Sequence, residues 1–172
     1  MLTLINVDEN NYANIPASCR HCLYWQTTGA DSEGTVAPGA ESKKLAWWRQ
    51  VSQEFGNCHK IALLDNVPAG FIQYAPPRFF PRTDTYAPVT PSADAVFIAC
   101  LYLDKATRGK GLGIQLLKEL IAYLKGKDQT AIETFARANS TDNPSGPSDL
   151  YLRQGFKVKR EKDGFTLLRL EL

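Results

Sequence analysis

The strongest chemical signal in the sequence is a short basic segment rich in glycine. Its residues are Arg108, Gly109, Lys110, Gly111, Leu112 and Gly113. Glycines let a backbone approach a phosphate without a Cβ clash, and a helix that begins here presents unpaired N–H groups and a partial positive charge. Arg108 and Lys110 add two full charges. The segment therefore predicts an anion site, and a pyrophosphate is the ligand that fits best.

Two common nucleotide-binding loops do not fit this segment. The mononucleotide P-loop requires G-x-x-x-x-G-K-[ST], and the Rossmann loop requires G-x-G-x-x-G. Here the glycines alternate at 109, 111 and 113, and the spacing is R-x-x-G-x-G. A different phosphate-bearing cofactor is therefore indicated.

Three features, taken in order along the chain, resemble the GCN5-related N-acetyltransferase (GNAT) family, the acyl-CoA-dependent amine acylators. They are the apolar run Val96–Leu103, the segment Arg108–Gly113, and the run Tyr151–Phe156, which fits the Y-x-x-x-G-F element of that family. The order of the predicted elements also fits. The resemblance thus extends over nearly the whole chain, and it is weakest over residues 7–40.

This resemblance implies acetyl-CoA as the co-substrate and assigns a role to each part of its site. Backbone amides across Arg108–Gly113 would hold the CoA pyrophosphate. The strand edge at Leu101, Tyr102 and Leu103 would pair with the pantetheine arm. An amide near Leu101 would then polarise the thioester carbonyl. Tyr151 matches the position that often protonates the departing thiolate.

The amine must lose a proton before it attacks a thioester, so a base or a relayed water is required. Glu133, in the middle of a predicted strand beside the proposed cleft, is the first candidate, and Asp94, just before the central strand, is the second.

A purely structural role is an alternative for each assigned residue. Tyr151 is also suited to a core position, Glu133 to an ion-paired or solvated one, and the segment Arg108–Gly113 to a plain strand-to-helix turn.

The predicted activity is transfer of an acetyl group from acetyl-CoA to a primary amine by direct attack in a ternary complex. The alternative is a non-catalytic protein that binds or senses acyl-CoA, which would need neither Tyr151 nor a base. The acceptor, a small-molecule or peptide amine, is not specified, and a homodimer is compatible with the fold. Several aromatic residues in the acceptor-side regions are candidates for lining a pocket for an apolar or aromatic amine: Tyr24, Trp25, Trp47, Trp48, Phe79, Phe80 and Tyr86.

Four cysteines raise the question of a metal or redox site. Cys19 and Cys22 form a C-x-x-C pair, and Cys58 precedes His59. A second C-x-x-C is missing, and adjacent residues would not easily bind one ion together, so we expect no metal. A redox pair at Cys19 and Cys22, or an acyl-cysteine at Cys100, is a lesser alternative to ordinary thiols.

The elements that position these residues follow from hydrophobic periodicity and turn signals. Strands are predicted at 3–7, 59–64, 67–74, 95–103, 131–137, 157–160 and 165–170, and helices at 19–26, 41–55, after 113, and at 148–154, the last capped by Ser148. The segment 75–93 has five prolines and should form no regular element but face the substrate. The order predicts an α/β (α+β) domain with a mixed, mostly antiparallel central sheet flanked by helices. It would be one domain over 1–172, with acceptor-side helices in 1–56 and the core with its CoA-binding loop in 57–172.

Composition excludes other classes of protein. The chain has 172 residues with 20 Lys and Arg against 18 Asp and Glu, and a net charge of +2 is too balanced for a dedicated nucleic-acid binder. The longest apolar run, Ala95–Leu103, is about half the length of a transmembrane helix, so we expect no membrane association. The first residues lack the basic segment of a secretory signal, and four cysteines do not form a disulfide scaffold. A cytoplasmic location is therefore expected.

Overall fold

The computed structural model describes residues 1–29, 37–138 and 143–172, so the predicted loops at 27–40 and 139–147 lie partly outside it. A seven-stranded sheet has the order β1-β2-β3-β4-β5-β7-β6, and only β4 and β5 run parallel. The strands are β1 (Leu2–Asn6), β2 (His59–Leu64), β3 (Val67–Ala75), β4 (Ala95–Leu103), β5 (Ala131–Ala136), β6 (Lys157–Lys162) and β7 (Phe165–Glu171). The α-helices are α1 (Ala17–Arg20), α2 (Ala40–Glu54), α3 (Leu112–Lys125) and α4 (Ser148–Leu152). The predicted fold class is confirmed.

Two tight turns set the register of the antiparallel strands. Asp65 and Asn66 connect β2 to β3 with φ values of 51° and 65°, and Asp163 and Gly164 connect β6 to β7 with φ values of 50° and 80°. Two successive residues with positive φ match the right-handed twist of paired strands, which is why these residue types are favoured there. Both hairpins were predicted from the sequence.

The two faces of the sheet carry separate hydrophobic clusters. Helix α3 covers one face, and its side chains at Leu116, Leu117 and Leu120 are fully buried there. Helix α2 covers the other face, where Trp48 and Val51 belong to a cluster rich in aromatic residues. Strand β4 lies between the two layers, which explains why its sequence is continuously apolar rather than alternating.

Strands β4 and β5 separate part-way along their length. They pair only from Ala95 opposite Ala131 to Ile98 opposite Thr134. At the next residue, Ala99, the pairing of β4 with β3 is shifted by a bulge. Bulges bend a strand and increase its local twist, so β4 turns away from β5 here. The edge of β4 beyond Ile98 is thereby left facing a gap in the sheet.

Three sequence predictions about helices need correction. The predicted helix 19–26 is only the single turn α1, and turns follow it. In α2 the spacing of Trp47, Val51 and Phe55 predicts the buried stripe, but the buried face is rotated from it: Lys44 is buried with Trp48, whereas Trp47 is only half-buried. Ser148 is the first residue of α4 rather than its cap, and its hydroxyl makes no hydrogen bond. A lysine on a buried face cannot be found from hydrophobic spacing.

The proline-rich segment 75–93 is more regular than predicted. It contains two 3₁₀ helices, Pro77–Phe79 and Pro81–Tyr86, each of which begins with a proline. Proline suits the first position of a helical turn because its missing N–H is not needed there. Phe79 and Phe80 are buried in the core rather than turned to a substrate, and Tyr86 is half-buried. In the parts of the chain that the structure describes, every helix falls short of the apolar length needed to traverse a bilayer.

Candidate active site

A cavity of about 610 Å³ occupies the gap between β4 and β5 and extends to the first turn of α3. Eight of the nine residues predicted to bind the cofactor line it: Leu101, Tyr102, Leu103, Arg108, Gly109, Gly111, Leu112 and Gly113. Lys110 is exposed and is not part of the lining. Asn143, Pro144 and Leu150 form part of the opposite wall. The glycine segment and the free strand edge therefore open into one continuous space.

Backbone conformation explains the glycines of this loop. Gly109 and Gly111 have φ values of 77° and 79°, a region that residues with a side chain rarely adopt. Gly111 directly precedes α3, and a Cβ on Gly113 would lie 3.3 Å from the Leu103 side chain. The alternating glycines thus bring the start of α3 against the end of β4. The unpaired amides of the first turn of α3 then border the cavity.

The Leu101 amide is already engaged in this structure. Its N–H donates a hydrogen bond of 2.8 Å to the carbonyl of Pro144, across the gap that β5 leaves open. The Leu103 carbonyl accepts a hydrogen bond of 3.3 Å from Arg108 Nε. The predicted role of the Leu101 amide on a thioester carbonyl therefore requires the bond to Pro144 to break first.

Tyr151 lies in α4 and is fully buried, packed edge-on against Phe156 at 5.2 Å between ring centroids. Its hydroxyl donates a hydrogen bond of 2.5 Å to the Ser145 carbonyl. Burial raises the pKa of the Tyr151 hydroxyl, so it stays protonated at neutral pH. Tyr151 is not part of the cavity lining, although its neighbour Leu150 is.

Glu133, predicted as the first candidate base, is a buried ion-paired residue in this structure. One carboxylate oxygen accepts hydrogen bonds from Lys159 at 2.6 Å and from Arg169 at 2.8 Å. The other oxygen accepts a hydrogen bond of 2.7 Å from the Ser92 amide. Glu133 is fully buried and does not line the cavity. Its carboxylate is thus held by two cations and an amide away from the cavity lining, an arrangement that suits a structural role.

Asp94, the second candidate base, belongs to the same network. Its carboxylate accepts two hydrogen bonds from the Arg169 guanidinium, at 2.9 and 3.2 Å. This pairing lowers the pKa of Asp94, which makes it a weaker base. Asp94 also lies at the start of β4, at the opposite end of the strand from the glycine loop. In this structure neither predicted base lines the cavity.

A sequence profile of the acetyltransferase (GNAT) family matches residues 20–156, which is more than half of the chain. The chain belongs to this family. The matched part of this acetyltransferase includes the free edge of β4, the glycine loop and α4. No curated protein matches the sequence.

Solved structures of acetyltransferases share the fold over its whole length. The paiA N-acetyltransferase of Thermoplasma acidophilum, in complex with coenzyme A, superposes with a TM-score of 0.67 at 17% identity, covering 100% of this chain and 99% of that one. YncA of Salmonella typhimurium, a putative acetyltransferase with its cofactor acetyl-CoA, gives 0.68 at 20% identity over 100% and 94%. A chain of the NatC complex bound to Gag peptide and CoA gives 0.63 at 14% identity over 99% and 98%.

Three cysteines of this acetyltransferase, Cys19, Cys58 and Cys100, belong to or pack against the hydrophobic cluster on the α2 face of the sheet. Cys19 and Cys58 are buried, Cys22 is exposed and Cys100 lines the cavity, all as free thiols. A hydrogen bond with Cys19 and burial raise the pKa of the Cys100 thiol, which makes it a poor nucleophile for an acyl-cysteine route. Over residues 1–29, 37–138 and 143–172, no three His, Cys, Asp or Glu side chains group to hold a metal ion.

A buried polar cluster near these thiols was missed in the sequence. Lys44 Nζ donates to the Cys22 carbonyl at 2.9 Å and to Gln26 at 3.1 Å. His59 is fully buried, and both of its ring nitrogens lack a hydrogen-bond partner. Burial, with the charge of Lys44 as a second cause, lowers the pKa of His59 well below its ordinary value. The local sequence did not indicate this arrangement, because a bulge in the pairing of β2 with β3 sets the register that places His59 opposite Gln73 on β3.

This cluster predicts a loss of stability in acid. Below about pH 6.5, the pKa of an unperturbed histidine, the unfolded chain binds a proton at residue 59 that the native protein does not. The free energy of unfolding should therefore fall by about 1.4 kcal/mol per pH unit from this one group as the pH drops below about 6.5, and level off above it. Urea unfolding of the wild type and of His59→Gln between pH 5 and 8 measures the difference in slope.

The only other histidine provides the control for this experiment. His21 is half-exposed and lies 3.0 Å from Glu41. His21→Gln should keep the slope that His59→Gln loses. Equal slopes for the wild type and His59→Gln would contradict a neutral, buried His59.

Proposed function

We propose that this acetyltransferase transfers the acetyl group of acetyl-CoA to a primary amine by direct attack within a ternary complex. The observation that carries this proposal is the continuous cavity from the first turn of α3 to the free edge of β4. Its two ends suit the two parts of an acyl-CoA, because helix amides favour a pyrophosphate and an open strand edge favours an amide-bearing chain. When bound, acetyl-CoA supplies the activated acyl group and a thiolate leaving group.

The residues of the chain would serve the reaction in three ways. Arg108 and the amides from Gly109 to Gly113 would bind the pyrophosphate. The Leu101 amide, released from Pro144, would donate to the carbonyl oxygen as negative charge develops on it. Tyr151 would have to turn its hydroxyl from the Ser145 carbonyl toward the cavity to give its proton to the departing thiolate, and the amine would pass its own proton to water or to a base.

Calorimetry with acetyl-CoA, free CoA and ATP at physiological salt tests the cofactor assignment. We expect micromolar binding of acetyl-CoA and CoA and much weaker binding of ATP. A panel of amines, followed by mass spectrometry of the products, then tests the transfer. Acetyl-CoA binding without acetylation of any amine would instead favour the non-catalytic acyl-CoA sensor.

Tyr151→Phe tests the proposed proton donor. Loss of general acid catalysis should lower kcat at least tenfold, while the Kd of acetyl-CoA changes little. Tyr123→Phe is the control, because Tyr123 lies on α3 outside the cavity lining. An unchanged kcat in Tyr151→Phe would leave the hydroxyl with only its structural bond to Ser145.

A further inference from the structure

A second cavity, of about 340 Å³, lies beside the cavity of about 610 Å³ that is proposed to hold acetyl-CoA (the cofactor cavity). The two cavities share Asn143 and Pro144. Asn143 fixes this shared wall by donating to the Phe135 and Gly146 carbonyls at 3.3 and 2.9 Å. Only one segment of backbone therefore separates this second space from the site proposed for the acyl group. The rest of its lining is Tyr24, Trp25, Tyr86, Phe135, Arg137 and Phe165.

Aromatic rings form most of the second cavity. Tyr86 stacks on Phe135 with 4.5 Å between ring centroids and meets Phe165 edge-on at 5.1 Å. Trp25 lies parallel to Phe135 at 6.2 Å, with 9° between the ring planes. Walls of this kind favour a planar apolar group, because aromatic pairs gain from stacked and edge-to-face contacts beyond the area they bury.

Among the residues that the structure describes, two arginines lie at this cavity. The Arg137 guanidinium lies 3.8 Å from the ring centroid of Phe165. The Arg82 guanidinium lies 4.3 Å from the ring centroid of Tyr24. Within the described residues neither guanidinium forms an ion pair with a carboxylate, and the lining includes no Asp or Glu. An arginine is suited to binding a carboxylate through two parallel hydrogen bonds. The cavity therefore offers a site for an anionic group beside a planar one.

We propose that this second cavity binds the acceptor, and that the acceptor is an amine that also carries a carboxylate and a planar apolar body, as an aromatic amino acid does. This inference rests on the proposed acetyl transfer. Arg137 binds the carboxylate, and the rings of Tyr86, Phe135 and Phe165 contact the planar body. The nearby positive charges repel an ammonium group, so they direct the amine toward Asn143 and Pro144. They also lower the pKa of the amine, which favours its neutral, nucleophilic form.

Three matched probes separate the two recognition elements. L-phenylalanine has both the ring and the carboxylate, phenethylamine lacks the carboxylate, and L-alanine lacks the ring. With acetyl-CoA as donor, kcat/KM for L-phenylalanine should exceed that for each of the others at least tenfold, as expected from the loss of one charge-assisted hydrogen bond or one buried ring. Direct titration of L-phenylalanine into the protein, which needs no acetyl-CoA, should give saturable binding.

Arg137→Met tests the carboxylate contact while keeping an apolar stem over Phe165. It should lower kcat/KM for L-phenylalanine about tenfold and change that for phenethylamine less than twofold. Arg153→Met is the control, because Arg153 is exposed and lies outside the cavity. A kcat/KM that falls equally for both amines would indicate a structural role and overturn the assignment of Arg137.

Other outcomes separate this inference from the proposed function. If acetyl-CoA binds and phenethylamine, L-alanine or a peptide amino terminus is acetylated as fast as L-phenylalanine, the substrate class is wrong and the transferase remains. If acetyl-CoA does not bind, the proposed function fails. Failure of L-phenylalanine to bind in the direct titration overturns the acceptor site, whatever the result with acetyl-CoA.

Discussion

Replacing Arg108 by glutamate should raise the Kd of acetyl-CoA about 100-fold. Arg108 lines the cofactor cavity beside the first turn of α3, where the helix amides and partial positive charge already favour an anion. A charge-assisted hydrogen bond contributes about 1.5–3 kcal/mol, and a carboxylate in its place adds repulsion. A total of about 3 kcal/mol corresponds to a factor on the order of 100 in Kd. Calorimetry at two salt concentrations measures the change.

Two further variants make this result specific. Arg108→Gln removes the charge but keeps a polar side chain, and it should raise Kd about tenfold. Lys118→Glu makes the same change of charge on the exposed side of α3 and should alter Kd less than threefold. If Arg108→Glu and Lys118→Glu weaken binding equally, only the overall charge matters, and the glycine loop is not the pyrophosphate site.

The features that sequence analysis predicted correctly depend on neighbouring residues. The Asp65-Asn66 turn and the alternating glycines at 109 and 111 need positive φ, and only a few residue types accept it. The continuous apolar run of β4 needs cover on both faces. Each of these requirements depends on a few consecutive residues, so the hairpin, the central strand and the glycine turn that leads into α3 could be predicted.

The partners of Glu133 could not be predicted in this way. Its three hydrogen-bond donors, Ser92, Lys159 and Arg169, are 41, 26 and 36 residues away in the chain. An acidic residue in an apolar strand has the same local pattern whether it is a catalytic base or the centre of an ion-pair network. Only the topology, which places β7 next to β5, decides between them.

The sequence also could not show which of the predicted aromatic residues are buried in the core and which line a cavity. The sequence suggested that Phe79 and Phe80 face a substrate, yet both are buried in the core. Tyr24, Trp25 and Tyr86 were in the same predicted set, and they line the second cavity. Phe135 on β5, Arg137 just after β5 and Phe165 on β7 complete that cavity, and sequence analysis did not single them out. Because residues from several separate elements form the cavity wall, the sequence of no single element predicts it.

Replacing Glu133 by glutamine should lower the free energy of unfolding by about 3 kcal/mol. The change removes the negative charge that pairs with Lys159 and Arg169. It also places the NH₂ group of the amide, a hydrogen-bond donor, next to the N–H donors of those two residues. Breaking a buried pair typically costs 3–5 kcal/mol. We expect the lower part of this range, because the Lys159 side chain is 27% exposed and Arg169 keeps Asp94 as a partner. Denaturant unfolding at pH 7 measures the loss.

Asp94→Asn provides a control at the exposed end of the same network. The Asp94 side chain is 58% exposed, so this variant should lose less than about 1 kcal/mol. The fraction of Glu133→Gln that stays folded should keep its acetyl-CoA affinity and, with any accepted amine, most of its kcat. A kcat reduced more than 100-fold with unchanged stability would instead restore Glu133 as the base, and the ion pairs would then serve to hold a catalytic carboxylate in place. Comparing the loss of unfolding free energy with the loss of kcat thus decides whether Glu133 serves as an ion-pair partner or as the catalytic base.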